Sequence, residues 1–385
     1  MFSVENLYYI LYVNLFKRIN VDIEYFSKFG SIDINDLQKN FSLKDANNSR
    51  VRCYFYDQEP IQTKVLDQLL GMLISPKTLI LLTSEHSAEV KNYCKKEKLY
   101  SIYYFFHGFA CLYWYNDTKY FEKNPPKWSN TFISMNRLCT SDRSYRLLLV
   151  TELLNRNIDT KGKISLQFIK NNENIIKKEL IDPHNKLSKH AKIKVYKTLG
   201  SLRKNFIIDQ EVTGTASAHC GRNEYELWQS CFLHVVSETV FFHEKLHLTE
   251  KIFKPIVSLR PFVLLGAYKN LEYLKTYGFK TFDKWIDESY DDEPDNEKRL
   301  LLVCNEIEKI ANLSETEIQK MYFEMQSILE FNYKHFFSNF KNIIVDELVN
   351  NFEGFMRQYN NGNLSDEVYD IESLNLPEVK RLLTQ

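Results

Sequence analysis

The fold is decided by residues 233–266, which read LHVVSETVFFHEKLHLTEKIFKPIVSLRPFVLLG. The apolar run Cys231–Val236 predicts a buried strand, because a short continuous apolar run is typical of a strand covered on both faces. A helical pattern follows over Thr249–Leu259. Its apolar residues recur at helical spacing and predict one buried face, formed by Ile252, Phe253, Ile256 and Val257.

The same stretch closes with a second strand. Pro261 ends the helical pattern, and Phe262–Leu265 predicts another short buried strand before Gly266. Strand, loop, helix and strand form a βαβ unit, and open parallel sheets bind ligands beyond the carboxyl ends of their strands. The polar residues 237–239 follow the first strand directly, so we expect them at that edge.

The start of the helix predicts an anion site. Thr249 is a residue type that caps helices, which places Glu250 and Lys251 in the first turn. The N-terminus of a helix attracts anions, because its backbone N–H groups are unpaired and its dipole is positive there. We therefore expect Lys251 to face a negatively charged group of a ligand.

These residues resemble a known enzyme family. A strand ending in Glu238, a helix beginning Thr249-Glu250-Lys251 and an apolar strand closing on Gly266 resemble the donor-binding module of glycosyltransferase family 10, the α1,3-fucosyltransferases. In that family the glutamate belongs to a Phe-Glu-Asn-Ser motif, and this chain has Thr239 at the asparagine position. Phage and marine bacterial relatives resemble the stretch more closely. The resemblance implies a nucleotide-sugar donor bound by Glu238, Thr239, Thr249, Glu250 and Lys251. The alternative is an ordinary βαβ unit whose helix begins with charged residues.

The stretch also contains the pattern H-E-x-x-H, at His243-Glu244-Lys245-Leu246-His247. In zinc metalloproteases a helix places these two imidazoles on one face, with the glutamate as base. Here a helix start at Thr249 follows at once, which predicts that both histidines lie in a loop. We interpret the pattern as accidental and keep a zinc metalloprotease as an alternative.

Composition indicates a soluble globular chain. Its 385 residues suffice for two domains with cores of their own. A hydrophobic content of 44% and a charged content of 26% are ordinary for that class. The formal net charge is zero, so no overall charge favours nucleic acid or membranes.

Cysteines and the N-terminal segment bear on the compartment. The seven cysteines include no C-x-x-C pair and several lie in apolar runs, which predicts buried thiols in a reducing cytosol. The apolar run Leu7–Phe16 is too short to span a bilayer and contains Asn14. We therefore expect no membrane span and a cytoplasmic enzyme of a bacterium or a virus-infected host cell.

The first third of the chain alternates between strand and helix patterns, which predicts a parallel sheet covered on both faces. The polar residues 116–130 include Pro125-Pro126 and predict a linker. The predicted strands are Val51–Tyr56, Thr78–Leu82 and Ser101–Phe106, and the predicted helices are Ile61–Leu73, Glu85–Lys96 and Gly108–Tyr115.

A second alternating set follows the linker. It predicts strands at Phe132–Met135 and Lys163–Phe168, a helix at Ser144–Asn155, and then the βαβ unit described above. From Glu297 to Phe352 the pattern is helical throughout. We expect an α/β protein of GT-B architecture, with two doubly wound Rossmann-like domains and C-terminal helices. The expected divisions are an acceptor-side domain at 1–120, a nucleotide-sugar-binding domain at 131–330 and a closing segment at 331–385.

A candidate general base follows the strand Val51–Tyr56. Pro60 fits the first position of the next helix, which would place Glu59 at the carboxyl edge of the sheet. A carboxylate at that edge can remove the proton of an acceptor hydroxyl. The α1,3-fucosyltransferases carry their base glutamate in a similar place, separated from the proline by one residue. Asp57 remains a competitor for this role, and either carboxylate could instead be a helix cap.

Asn136 and Arg137 end the first strand of the second domain and suit a diphosphate. Arginine offers a planar set of donors and keeps its charge at any working pH. The resemblance supports Arg137 as the pyrophosphate arginine beside Lys251. Arg143 and Arg146 lie at helical spacing, and we expect them on a solvated helix face.

Two histidines also follow predicted strands. His86 and His107 are expected at the same sheet edge as Glu59, with His107 the better candidate for an acceptor contact or a base. A histidine at the end of a strand is more often structural. The sequence contains no D-x-D triplet, so we expect a metal-independent reaction in which Arg137 and Lys251 stabilise the leaving diphosphate.

The acceptor is not specified by these motifs. Between Lys170 and Lys204 there are ten lysines and arginines against three acidic residues. This run indicates a solvated helix face, or else a basic surface for an acidic acceptor such as DNA carrying hydroxymethylated bases. The sequence therefore predicts an inverting glycosyltransferase acting on a glycan or on modified DNA. A non-catalytic protein that binds a nucleotide sugar is the alternative from another class.

Overall fold

The computed structural model describes residues 4–25, 52–72, 79–123, 127–166, 172–200, 222–242, 244–361 and 374–384. The fold is α/β with parallel sheets, as predicted. The strands that form these sheets are β1 (Asp22–Tyr25), β2 (Arg52–Tyr56), β3 (Leu79–Thr83), β4 (Tyr100–Tyr103), β5 (Asn130–Asn136), β6 (Gly162–Leu166), β7 (Cys231–Ser237) and β8 (Phe262–Leu265).

The α-helices alternate with these strands and then close the chain. They are α1 (Val4–Leu11), α2 (Thr63–Met72), α3 (Ala88–Glu97), α4 (Phe106–Trp114), α5 (Tyr145–Asn155), α6 (Asn172–Ile181), α7 (Lys189–Leu199), α8 (Arg222–Gln229), α9 (Glu250–Val257), α10 (Asn270–Thr276), α11 (Asn296–Ala311), α12 (Glu315–Phe337), α13 (Phe340–Asn361) and α14 (Leu376–Thr384).

The chain forms two compact units. The first comprises Met1–Tyr113 together with Ser338–Gln385, and the second comprises Trp114–Phe337. The closing helices α13 and α14 therefore belong to the first unit, whereas the sequence pattern assigned them to a segment of their own. The expected division into domains at 1–120, 131–330 and 331–385 stays a prediction, because the two compact units do not show which segments fold independently.

The first unit contains a four-stranded parallel sheet in the order β1-β2-β3-β4. Strand β3 reads LILLT and is buried along its whole length, as a central strand covered on both faces must be. Helices α2 and α3 pack on β2 and β3 through Leu66, Leu69, Val90 and Cys94. The prediction of a parallel sheet with alternating helices in the first third of the chain is therefore confirmed.

Helix α13 completes the first unit by covering strand β4. The side-chain amide of Asn351 donates to the carbonyl oxygen of Tyr103 at 3.0 Å. The ring of Tyr100 makes edge contacts with Phe355 and Tyr359, at centroid distances of 5.7 and 6.0 Å. The last long helix thus stabilises the sheet formed by the first hundred residues.

The second unit contains a four-stranded parallel sheet in the order β8-β7-β5-β6. From β5 the chain moves outward to β6, and it then returns to β7 on the other side of β5. The strand order therefore reverses between β5 and β7. Such a topological switch point leaves a crevice outside the carboxyl ends of the two strands, where open α/β sheets bind their ligands.

The βαβ unit predicted from residues 233–266 is present as β7, α9 and β8. Strand β8 has the predicted bounds, and the four apolar residues expected on one helix face are all buried. The predicted linker contains a 3₁₀ turn at Asn116–Tyr120. Pro125 and Pro126 lie outside the described residues.

The N-terminal apolar run contributes to the core of the first unit. Leu7, Leu11, Leu15 and Phe16 are buried, and Phe16 contacts the rings of Phe55 and Phe352. No helix in the described ranges combines the length and the apolar character needed to cross a bilayer.

Candidate functional site

The switch point of the second unit brings two predicted site residues to neighbouring strand ends. Asn136 is the last residue of β5, and Glu238 follows the last residue of β7. Both side chains are fully buried. Arg137 comes next after Asn136 and is exposed to solvent. These positions agree with the expectation that the polar residues collect at the carboxyl edge of the sheet.

Glu238 is the centre of a hydrogen-bond network that joins β7 to the start of α9. Its Oε2 accepts from the hydroxyl of Thr249 at 2.6 Å, and its Oε1 accepts from the backbone N–H of Thr249 at 3.2 Å. The backbone N–H of Thr239 also donates to Oε2, at 3.2 Å. Burial raises the pKa of the Glu238 carboxyl, while nearby Lys251 and the Thr249 hydroxyl act in the opposite direction.

Thr249 stands at the N-cap position of α9, as predicted, although its hydroxyl makes no capping hydrogen bond to the helix. The hydroxyl instead donates to Glu238 and accepts from the ammonium group of Lys251 at 3.1 Å. Lys251 also donates to the hydroxyl of Thr239 at 3.2 Å and pairs with Glu250 at 3.0 Å. The five predicted donor-site residues 238, 239 and 249–251 therefore form one connected group.

Arg146 was expected on a solvated helix face, and this expectation was wrong. Its side chain is only 3% exposed. One guanidinium nitrogen donates to the carbonyl oxygens of Ser237 and Glu238, at 2.9 and 3.0 Å. Another donates to the carbonyl oxygen of Leu138 at 2.8 Å. Arg146 thus links the chain segments at the ends of β5 and β7.

A second buried arginine fixes the far end of the same loop. Arg299 on α11 donates to the carbonyl oxygen of Phe241 at 2.8 Å and to that of Gly266 at 3.1 Å. The ring of Tyr145 stacks on Phe241 at a centroid distance of 4.2 Å, and the Tyr145 hydroxyl donates to the carbonyl oxygen of Glu238. The loop after β7 is therefore held by buried charged and phenolic groups along its length.

Asn136 has an amide that is only partly satisfied. Its Nδ2 donates to the hydroxyl of Ser134 at 2.9 Å, whereas its buried Oδ1 accepts no hydrogen bond. The hydroxyl oxygens of Ser144 and Ser237 are likewise buried without a hydrogen bond. Buried polar atoms in proteins are nearly always paired. These three unpaired oxygen atoms, two of which lie at the ends of β5 and β7, are therefore unusual.

The first unit has a polar cluster at the carboxyl edge of its own sheet. Asp57 follows β2, is 3% exposed, and accepts from the hydroxyls of Tyr8 and Tyr104. Burial raises the pKa of Asp57 from its ordinary value of 3.8 to about 6, although both phenolic hydrogen bonds oppose this shift. Burial and the nearby Asp57 charge raise the pKa of Tyr104 well above its usual value.

Glu59 and His107 lie beside this cluster. Glu59 is half-buried, two residues beyond Asp57. The Nε2 of His107 donates to the carbonyl oxygen of Gln58 at 3.0 Å, and the Gln58 amide donates to the hydroxyl of Tyr8 at 3.2 Å. Residues 57–59 and His107 are therefore neighbours, as the sequence predicted.

Pro60 does not occupy the first position of a helix, because α2 begins only at Thr63. The intervening chain is held by a different carboxylate. Glu85, which follows β3 and is buried, accepts from the backbone N–H of Ile61 at 2.8 Å and from the hydroxyl of Ser87 at 2.5 Å. His86 stacks on Tyr103 at a centroid distance of 3.6 Å, and burial lowers its pKa to about 4.

The H-E-x-x-H pattern is not helical where the structure describes it. Lys245 and Leu246, between the two histidines, are extended, and His247 is buried. His243 lies outside the described residues. Within the described ranges, no group of three histidine, cysteine or acidic side chains is arranged to hold a metal ion.

Sequence reasoning missed the residues that hold the site, and one signal could have revealed Arg146. Residues 145–153 read YRLLLVTEL, a helical segment that is apolar on nearly every side, and the structure buries all of them. A helix that is apolar all round lies in the interior, so a charged residue in its first turn must be paired there. Tyr115, whose hydroxyl donates to the carbonyl oxygen of Glu250 at 3.2 Å, carries no comparable signal.

Comparison with known proteins adds no relative. No protein-family model matches the chain, and neither the curated proteins nor the solved structures yield a match.

Proposed function

We propose that this chain is a glycosyltransferase of GT-B architecture that uses a nucleotide-sugar donor and works without a metal ion. The observation that carries the proposal is the connected group of Glu238, Thr249 and Lys251 at the topological switch point of the second sheet. The family assignment rests on the same residues, through their resemblance to glycosyltransferase family 10.

The chemistry of this group favours a diphosphate ligand. Helix α9 directs its positive end to the edge of the sheet, and the Lys251 ammonium lies in its first turn. Arg137 follows the adjacent strand β5 and supplies a second cation. Glu238 is fully buried and accepts three hydrogen bonds from Thr239 and Thr249, so we propose that it positions these residues for the ligand.

In the proposed reaction the acceptor hydroxyl attacks the anomeric carbon of the donor, with inversion. The new bond forms between the acceptor oxygen and that carbon, while the bond from the carbon to the phosphate oxygen breaks. The acceptor proton passes to a carboxylate of the first unit. Lys251, Arg137 and the start of α9 stabilise the charge on the departing nucleoside diphosphate.

Glu59 is a better candidate for the proton acceptor than Asp57. Asp57 is buried and already accepts two phenolic hydrogen bonds, so a substrate hydroxyl has little access to it. Glu59 is half-buried and close to the His107 side chain that holds residue 58. We propose Glu59 as the base, Asp57 as a residue that holds its loop, and His107 as an acceptor contact.

A ligand screen tests the proposal at the level of binding. We expect a nucleoside diphosphate or its sugar conjugate to raise the melting temperature, because a ligand present at about 100 times its Kd stabilises a protein by about 2.7 kcal/mol. In the variant Lys251→Ala the increase should be lost. Lys320→Ala is the matched control, because Lys320 is an exposed lysine on another helix of the same unit.

Two outcomes would contradict the proposal. One is a stabilising nucleotide sugar whose effect survives in Lys251→Ala, since the phosphate site would then lie elsewhere. The other is the absence of any stabilising nucleotide or nucleotide sugar across the common bases and sugars. Binding without turnover of the donor would favour a non-catalytic nucleotide-sugar-binding protein.

A further inference from the structure

Helix α7 presents a basic and apolar face to solvent. Its buried side is formed by Ala191, Val195 and Leu199, which recur every four residues. On the opposite side Ile193 is 47% exposed, between the exposed side chains of Lys189 and Lys197. The helix reads KHAKIKVYKTL and contains no acidic residue, so its own charged side chains contribute only positive charge to this face.

Helix α6 extends this face. Ile181 at its end is 80% exposed, and Lys177 and Lys178 are exposed one turn earlier. Glu179 points the other way and is buried. The ammonium of Lys177 lies over the ring of Tyr196 on α7, 5.6 Å from the ring centroid, so the exposed sides of the two helices meet. We call this joint surface, comprising residues 177, 178, 181, 189, 193, 196 and 197, the α6–α7 face.

We propose that the α6–α7 face docks on an anionic membrane surface. The charge of the face selects a negatively charged partner, and its lysines can place their ammonium groups at lipid phosphates while their stems lie along the apolar region. Ile181 and Ile193 enter the boundary between head groups and acyl chains, and Tyr196 lies at the interface that tyrosine prefers. This inference does not depend on the reaction that the chain catalyses.

The side chains favour lipid over nucleic acid. Proteins that bind single strands stack bases on aromatic rings and use arginine, whereas the most exposed apolar groups of this face are the two aliphatic isoleucines. Its cations are all lysines, which act as point charges without the planar geometry that reads bases. Aliphatic side chains left in water gain from an acyl environment, and a phosphate backbone offers them none.

Sedimentation with vesicles tests the inference on the full chain. The probes are vesicles of phosphatidylcholine alone and of phosphatidylcholine mixed with phosphatidylglycerol. We expect binding to the mixed vesicles only, with affinity falling as salt is added. The double variant Lys178→Ala/Ile181→Ser should weaken binding by about tenfold or more, since each lysine near an anionic surface contributes about fivefold and the isoleucine adds its own burial. Lys189→Ala/Ile193→Ser should act similarly.

The chain offers a matched control on helix α12. Lys320 and Phe323 have the same spacing as Lys178 and Ile181, and both are exposed, with Phe323 at 60%. Lys320→Ala/Phe323→Ser should leave vesicle binding unchanged. An unaltered melting temperature in all three variants confirms that the fold survives.

Three results would overturn the inference. Failure to sediment with anionic vesicles is the first, and equal loss in the α12 control is the second. The third is a short DNA duplex or single strand that binds the chain in a manner sensitive to the α6–α7 variants while vesicles do not. That result would assign the face to nucleic acid and would favour modified DNA as the acceptor.

Discussion

The carboxyl edges of the two parallel sheets hold their buried carboxylates in different ways. At the edge of the first sheet, Asp57 is surrounded by the phenolic groups of Tyr8 and Tyr104. At the edge of the second, Glu238 is bonded to Thr249, and the cationic Lys251 lies one contact away. Each carboxylate is desolvated, and burial raises the pKa of both.

The difference lies in the charge that each edge offers to a ligand. Phenols donate hydrogen bonds without adding positive charge. The first edge therefore suits a neutral ligand group, such as a hydroxyl, that gives up its proton to a carboxylate. The second edge adds a lysine, a helix N-terminus and the buried guanidinium of Arg146, which suit an anion. The same sheet geometry thus provides two chemically distinct edges in one chain.

The largest expected effect concerns Glu59, the proposed base at the first edge. Glu59→Gln keeps the size and the hydrogen bonding of the side chain but removes its ability to accept a proton. We expect turnover of the donor to fall by about 10²–10⁴, the usual contribution of general base catalysis. The Kd of the donor should change little, because the proposed donor site belongs to the other unit. Turnover and donor Kd are measured on the same preparations.

Asp57→Asn serves as the control for that prediction. Asparagine can still accept from one tyrosine hydroxyl, and we expect a milder loss of turnover than in Glu59→Gln. If Asp57→Asn is the more damaging change, the two roles are exchanged. If neither variant slows transfer, His107 becomes the next candidate for the base.

The second prediction removes the buried cation from the second edge. Arg146→Met preserves much of the volume but leaves the carbonyl oxygens of Ser237 and Leu138 without their donor. Each unsatisfied buried group costs about 1–3 kcal/mol, so we expect the free energy of unfolding to fall by about 2–5 kcal/mol. Denaturant titration measures it. Arg143→Met, at a half-exposed position two residues before α5, should change it by less than about 0.5 kcal/mol.

Equal losses in the two arginine variants would contradict this contrast. They would indicate that charge in this segment matters in general, rather than the specific contacts of Arg146 with the loops after β5 and β7.

Sequence alone predicted the part of the second edge that is local along the chain. The strands β7 and β8 and the helix α9 follow from one apolar run, one helical period and one helix start within 34 residues. The grouping of Glu238 with Lys251 follows from that geometry, because parallel strands bring their carboxyl ends to one edge. Short-range periodicity was sufficient there.

The groups that hold each edge could not be predicted, because they depend on contacts distant in sequence. Arg146 reaches carbonyl oxygens 91 and 92 residues further along the chain. Tyr8 reaches Asp57 across 49 residues, and Asn351 reaches Tyr103 across 248. Pattern analysis assigns a lone arginine to a solvated face because most are there. Only the tertiary structure decides otherwise.

The third prediction uses the raised pKa of Asp57. An acid with a pKa of about 6 in the folded state and its ordinary 3.8 when unfolded binds its proton more tightly when folded. The free energy of unfolding therefore decreases as the pH rises from about 4 to about 6 and is lowest above that range. The shift corresponds to a decrease of about 3 kcal/mol for this one group.

The measurement compares the wild type with Asp57→Asn, which cannot titrate. We expect the difference in unfolding free energy between the two to change by about 3 kcal/mol between pH 4 and pH 7, with the variant gaining relative stability at the higher pH. A difference that does not depend on pH would show that Asp57 keeps an ordinary pKa. The comparison of the two edges could then no longer rest on a raised pKa of Asp57 at the first edge.

The smallest expected effect tests the hydroxyl that joins Glu238 to Lys251. Thr249→Val keeps the shape of the side chain but removes the group that donates to Glu238 and accepts from Lys251. One such hydrogen bond contributes about 1 kcal/mol to stability, so unfolding should become easier by about that amount. The control is Thr198→Val, because the Thr198 hydroxyl makes an exposed hydrogen bond to Asn155 elsewhere in the same unit.

The Kd of a nucleotide ligand should rise in Thr249→Val and stay constant in Thr198→Val, because only the first change frees the Lys251 ammonium from its position over the edge. A constant Kd in both variants would mean that the hydroxyl groups around Lys251 are structural only, and that Glu250 positions the cation of the second edge instead.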